Sequence, residues 1–419
     1  MSNIQLSSAE NSSLLQTLNQ SESKVIPSIY STKEIYAPSA TSWYTITPKT
    51  GSATDGQSHS WDLAKYGILQ QMVLSFTKNV SFTGDGTFTG QIPSGDPFNV
   101  IDRIEFLSSS RILCTLYSED IIAQLKNLST DEYSTISKYL GASATSTLAA
   151  GAKNVNQKYT LPIVFPFLQN KNTCPNLSFC EPSQLRIVYR NIGGFNTVTG
   201  TVPTLTTTID NVKLMLRYKM YSEADTAQLL ASNYEDEQLN MLTSKNYREN
   251  PVSFTAGGTE EIDYKFTMEL KNVDVVENFY FMIRGPTGAS EGDKQNQLKV
   301  IKRIRLTASG QELCDLSDDQ LLYMKVSENG WPVNSSYLAS DMNDPMVINN
   351  VAKIQTGLWT WNKDVWTNGW SMREMNNVVA EVYCDVPANK KYTCYCEEET
   401  SCILSVSSNT GRNAISLAN

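Results

Sequence analysis

VIDRIEFLSSSRILCTLYSEDII, residues 100–122, aligns without a gap on VIKRIRLTASGQELCDLSDDQLL, residues 300–322. Val100/Val300, Ile101/Ile301, Arg103/Arg303, Ile104/Ile304, Ser109/Ser309, Leu113/Leu313, Cys114/Cys314 and Leu116/Leu316 are identical, eight of 23 positions. Each copy reads as an apolar strand, a Ser/Gly turn, a short strand and a helix with acids in its first turn, where they favour the helix dipole. Strand pairs precede each copy (43–47 with 71–76; 262–270 with 279–284), and an aromatic region and two more strands follow each. Two β-domains of similar plan in one chain is the simplest reading.

The rest of the chain has a period of two. In 212–220, Val212, Leu214, Leu216, Tyr218 and Met220 face one way, while Lys213, Arg217 and Lys219 face the other. Successive side chains of a strand point to opposite faces, so this is a half-buried strand. Ile262, Tyr264, Phe266, Met268 and Leu270 repeat the pattern. Further strands are expected at 71–76, 100–106, 161–167, 185–190, 279–284, 300–306, 378–384 and 403–406. Turn-rich pieces such as FTGDGTFTG and RGPTGASEGD separate them. The fold class is therefore all-β, of sandwich or barrel type, with short helices in the loops. Helices are expected from Ser118, from Ser317 and across 223–242. The expected division is a flexible N-terminal arm (1–27), a first domain (28–225), a connecting segment (226–255) and a second domain (256–419).

Composition narrows the function. The net charge of −9 and pI near 4.9 argue against specific nucleic-acid binding, which needs a basic face. His59 is the one histidine, which excludes sites built on two histidines and makes it the obligatory base of any Ser-His-Asp triad. The start of the sequence lacks the pattern of a signal peptide, and no apolar run is long enough to span a membrane. Eight cysteines in 419 residues read as buried thiols rather than a disulfide scaffold.

Four features are candidate sites. Cys384, Cys394, Cys396 and Cys402 could form a thiolate zinc site, yet Tyr392, Cys394 and Cys396 alternate as in a strand. Asp318/Asp319 and Glu397–Glu399 could be paired catalytic carboxylates. The first pair equally suits a helix start, and the second reads as a solvated turn. Trp331, Trp359, Trp361, Trp366 and Trp370 could fill a core, form an interface or stack against sugar. The glycines of 84–90 lack the context of a phosphate loop and read as turns. No catalytic, cofactor-binding or metal-ligating residue is assigned, and the chain is not expected to be an enzyme.

The duplicated segment, with its Leu-Cys-Thr-Leu and Leu-Cys-Asp-Leu cores, resembles the segment after the third strand in double jelly-roll major capsid proteins of tailless icosahedral DNA viruses. Leu161-Pro-Ile-Val-Phe-Pro-Phe167 looks like that family's Leu-Pro strand, residues 181–189 are similar to the strand after it, and 212–220 to the last strand of the first jelly roll. No equally clear Leu-Pro strand stands in the second half, where LWTWNKDVWTNGW occurs instead. The resemblance implies two consecutive eight-stranded jelly-roll sandwiches. It also implies a homotrimer that forms a pseudo-hexameric capsomer in the virion shell. The partners implied are copies of the chain itself, vertex and minor capsid proteins and, as in many relatives, an internal membrane. The competing readings are a two-domain carbohydrate-binding protein or glycoside hydrolase, and a spike or vertex component.

Overall fold

A computed structural model describes residues 25–26, 39–83, 89–92, 100–126, 146–148, 154–169, 174, 176–178, 180–190, 192, 196–199, 204–222, 238–285, 297–328, 351–356, 369–408 and 413–418. The first half contains β1 (Ser39–Ile46), β2 (Ser58–Asp62), β3 (Ile68–Thr83), β4 (Ile101–Ser108), β5 (Arg111–Tyr117), β6 (Asn154–Ile163), β7 (Ser183–Tyr189) and β8 (Thr204–Tyr221). These pair in two antiparallel sheets, ordered β6-β3-β8-β1 and β2-β7-β4-β5. Helix α1 (Ser118–Lys126) follows β5, and the short α2 (Pro166–Gln169) follows β6.

The second half repeats this plan. Its strands are β9 (Gln238–Arg248), β10 (Glu261–Leu270), β11 (Val275–Gly285), β12 (Arg303–Ala308), β13 (Gln311–Ser317), β14 (Val351–Gln355), β15 (Val378–Val386) and β16 (Lys391–Ser408). They pair as β14-β11-β16-β9 and β10-β15-β12-β13, with α3 (Asp318–Glu328) after β13. Adding eight to each strand number of the first half gives the order of the second. Apart from the β4–β5 and β12–β13 hairpins, consecutive strands thus alternate between two facing sheets, which is the jelly-roll connection.

The duplicated segments occupy the same place, at one edge of each second-named sheet. Ile104 pairs with Leu116 and Phe106 with Cys114; Ile304 pairs with Leu316 and Leu306 with Cys314. Both hairpins then carry a bulge after that pair. Both turn through two positive-φ residues, Ser109–Ser110 (46° and 68°) and Ser309–Gly310 (49° and 79°), the signature of a two-residue type I′ turn. The helix cap repeats too. The backbone N–H of Tyr117 donates to Asp120 (2.8 Å) and that of Ser317 to Gln320 (2.9 Å), so Tyr117, not Ser118, occupies the capping position in the first copy.

Each sandwich buries the alternating apolar faces of its sheets. The first core includes Trp61, Leu74, Phe76, Phe106, Leu185 and Leu214; the second includes Phe266, Phe279, Phe281, Ile304, Val382 and Cys396. Cys114, Cys174, Cys180, Cys384, Cys394, Cys396 and Cys402 are buried free thiols, and Cys314 is half-buried and free.

Several sequence expectations are corrected. The strand expected at 161–167 ends at Ile163, and Pro166 opens α2, because proline's fixed φ suits a first helical position. The helix expected across 223–242 gives way to β9 from Gln238 onward, and residues 223–237 lie outside the described ones. β9 is the counterpart of β1, whereas 262–270 (β10) is that of β2. The segment 226–255 therefore includes strands of the second sandwich, β9 and Val252–Thr255, both paired with β16. Of the expected arm, Val25–Ile26 pairs in parallel with Asn240–Met241 of β9; the remainder lies outside the described residues.

Candidate functional site

The two sandwiches meet along a seam that joins β5 and α1 of the first to the outer face of β9, β11 and β16 of the second. Side chains alternate across a strand, so β11 sends Phe279, Phe281 and Ile283 into its own core and Tyr280, Met282 and Arg284 outward. Met282, Val351 and Leu404 are buried against the first core, with Tyr280 and Tyr395 packed beside them. The apolar part of the seam is continuous with the first sandwich's interior.

Within it lies a buried ionic knot. Glu119, in the first turn of α1, is fully buried. It accepts from Arg190 (2.8 Å) just beyond β7, from Arg248 (2.5 Å) at the end of β9, and from Arg284 of β11. Arg284 also donates to Ser118 Oγ (3.0 Å), and Arg248 to Glu397 of β16 (2.5 Å). The Arg248 guanidinium lies 3.6 Å from the centroid of the Tyr117 ring, a cation–π contact strengthened by desolvation. One carboxylate of the first sandwich thus holds two arginines of the second.

Titration follows from this geometry. Burial would raise the Glu119 pKa, but the guanidiniums of Arg284, Arg190 and Arg248 outweigh it and hold the carboxyl well below its usual range. Asp120, equally buried, is pushed up to about 7 by desolvation, against the pull of Arg248 and the Tyr117 amide. Glu397 is raised by burial and by its neighbours Asp120 and Glu119, against Arg248. The charge of Asp120 is among the causes that raise Glu397, so the two carboxyls are coupled in their titration. A cavity of about 270 Å³ opens along the seam, lined in part by Cys114, Asp120, Asn246 and Arg248. It is small for a substrate pocket.

The candidate residues of the sequence lie elsewhere. His59 is half-buried in β2, with Nδ1 3.0 Å from the Tyr189 hydroxyl and its pKa lowered by burial; this contact builds no triad. Cys394 and Cys396 lie in β16 and face the second core with Cys384 of β15. No metal-ligand group occurs among the described residues, and burial raises the Cys384 and Cys402 pKa to about 12, far from thiolate character. Trp370 is half-buried beside Phe279 (6.1 Å), and Trp331, Trp359, Trp361 and Trp366 lie outside the described residues, as do Gly84 and Gly86. Asp318 and Asp319 are exposed at the start of α3.

The expectation for Glu397–Glu399 is overturned. These residues sit within β16, with Glu397 and Glu398 each 1% exposed. Partners replace solvent: Arg248 for Glu397, Asn272 (2.5 Å) for Glu398, and Asn278 (2.8 Å) and Tyr280 (3.2 Å) for Glu399. The seam arginines also escaped the sequence reading. Arg284 does carry a signal, a lone cation ending the apolar run NFYFMIR, where charge needs a buried partner.

Two eight-stranded jelly rolls in tandem, joined face to edge, define the class as a double jelly roll. No family model and no curated protein matches the sequence. Solved structures do match in fold, over nearly the whole chain. The capsid protein Vp54 of the virus PBCV-1, fitted into a reconstruction of the virophage Sputnik, is 12% identical with a TM-score of 0.64, covering 92% of this chain and 98% of that one. The structure of the Sputnik virophage itself gives 10% and 0.59, covering 96% and 91%. The Faustovirus major capsid protein gives 10% and 0.57, covering 98% and 99%. At such identities the likeness is one of fold.

Proposed function

We propose that this chain is a structural major capsid protein of an icosahedral virion and carries no enzymatic activity. The observation that carries the reading is coverage: the solved capsid proteins it resembles match its two jelly rolls almost end to end. Two like domains in one chain suit a shell, because three chains around a threefold axis present six similar blocks, and a hexagonal outline tiles a surface. The chain trimerises into such a pseudo-hexameric capsomer. Its partners are further capsomers, vertex and minor capsid proteins and, where the virion has one, an internal membrane; it binds no specific nucleic-acid sequence. The seam sets the angle between the two blocks within each chain.

Mass photometry of the purified protein tests this. The expected species has three times the 46.6-kDa chain mass and a hexagonal outline in negative stain. A stable monomer or a pentamer would overturn the reading.

A further inference from the structure

One end of the second sandwich buries more negative charge than its neighbours offset. Glu249, just beyond β9, and Glu398 of β16 are each 1% exposed, and Asp274, just before β11, is 8% exposed. Asp274 pairs with Lys245 of β9 (3.2 Å). Lys271, also near Glu249, is exposed and pairs with Glu269 (3.5 Å). Charge taken out of water is costly unless it is paired or holds a cation.

The turn between β10 and β11 grips each glutamate by one oxygen. Glu249 Oε1 accepts from the backbone N–H groups of Lys271 and Asn272 (2.8 Å for Asn272). Glu398 Oε2 accepts from Asn272 Nδ2 (2.5 Å). Both carboxyls therefore converge on Asn272, whose Oδ1 accepts from the Asp274 amide (3.0 Å). Their second oxygens, Glu249 Oε2 and Glu398 Oε1, are shut off from solvent and have no hydrogen-bond partner. The carboxyls are near enough to repel, because Glu249 adds to burial in raising Glu398, yet no hydrogen bond joins them. Two buried, repelling oxygens that share no proton call for a positive charge between them. Asn250, Lys271 and Val273 are exposed around this point, so it lies just below the surface.

We propose that a hard divalent cation, calcium or magnesium, bridges Glu249 Oε2 and Glu398 Oε1 and pins the β10–β11 turn to β16 and the end of β9. Its two charges offset those of the glutamates. The acids belong to no cluster of three or more side-chain ligands, so backbone carbonyls and water complete the shell, which hard cations accept. Without the cation the carboxyls fall back on protons. The inference stands apart from the capsid reading and does not depend on it.

The full chain, treated with chelator and dialysed, is the starting material for the test. Calcium and magnesium chloride are titrated separately against sodium chloride of matched ionic strength. One of them should raise the melting temperature by about 5 °C at a hundredfold excess over its Kd, and the larger response identifies the ion. Terbium should compete for the site, with luminescence sensitised by Tyr247, which pairs with Glu398 across β9 and β16. Glu249→Gln and Glu398→Gln keep an acceptor for the turn amides and for Asn272, and circular dichroism checks their folding. Each should abolish both responses, while Asp318→Asn, at an exposed acid, should keep them. If neither ion moves the wild-type melt beyond the sodium control, protons alone occupy the pair and the proposal fails. It fails equally if the two glutamine variants respond as the wild type does.

Discussion

Glu119 and Arg248, 129 residues apart in sequence and 2.5 Å apart in space, tie the two sandwiches together. The pair is buried, and Arg284 shares the same carboxylate from within the second sandwich. Removing one member of such a pair leaves its partners charged and unsolvated, which costs more than the intact pair contributes.

Glu119→Gln should therefore destabilise the chain by ~3–5 kcal/mol. The loss acts at the seam, so the sandwiches should uncouple. Calorimetry is expected to resolve two transitions in the variant where the wild type shows one. A single transition at the wild-type temperature would show that the apolar contacts of Met282, Val351 and Leu404 suffice.

The raised pKa of Asp120 makes the seam sensitive to pH. Asp120 titrates near 7 in the fold and near 4 in an unfolded chain. Between those values the folded seam retains a proton that the unfolded chain has released, so stability falls as pH rises from about 4 to about 7. Glu119, with its depressed pKa, acts in the opposite sense, but only at lower pH. Asp120→Asn keeps an acceptor for the Tyr117 amide and gives Glu397 a neutral partner. Melting temperatures measured from pH 5 to 8 should slope downward in the wild type and less steeply in this variant, in which Glu398 still titrates; equal slopes would remove Asp120 from the account.

Much of the fold was legible because it rests on period-two alternation and on one repeat. The pairs Phe106–Cys114 and Leu306–Cys314, with their bulges, follow from the gapless alignment of the two segments. β9 was not legible, since QLNMLTSKNYR alternates poorly and takes its register from β16. The seam was missed for a related reason. Arg190, Arg248, Arg284 and Glu397 come from four separate strands or strand ends, and no local pattern announces that they converge on Glu119. Buried acids in Glu397-Glu398-Glu399 look like a solvated run until their partners are placed.

Glu398 offers an independent pH prediction away from the seam. Burial, with Glu249 and Asp274 nearby, raises it to about 8 against the hydrogen bond from Asn272. Its folded pKa exceeds the unfolded value, so it lowers stability as pH rises through the interval between them and up to about 8. Glu398→Gln retains the acceptor for Asn272 and removes the charge. The variant should melt above the wild type at pH 9 and close to it at pH 5. A uniform shift at both values would point to packing rather than ionisation.

The two hairpins permit a reciprocal exchange. Ser110 (φ 68°) and Gly310 (φ 79°) hold the same turn position, and a β-carbon built on Gly310 meets nothing within 4 Å. Space is therefore not at issue, and the left-handed backbone alone decides. A side chain there costs about 1 kcal/mol relative to glycine, partly offset by glycine's greater freedom when unfolded. Ser110→Gly should stabilise the first sandwich by up to about 1 kcal/mol, and Gly310→Ser should destabilise the second by a similar amount. Urea titration of both variants checks the pair. Changes of the same sign in the two would mean that the duplicated turns do not share one backbone geometry.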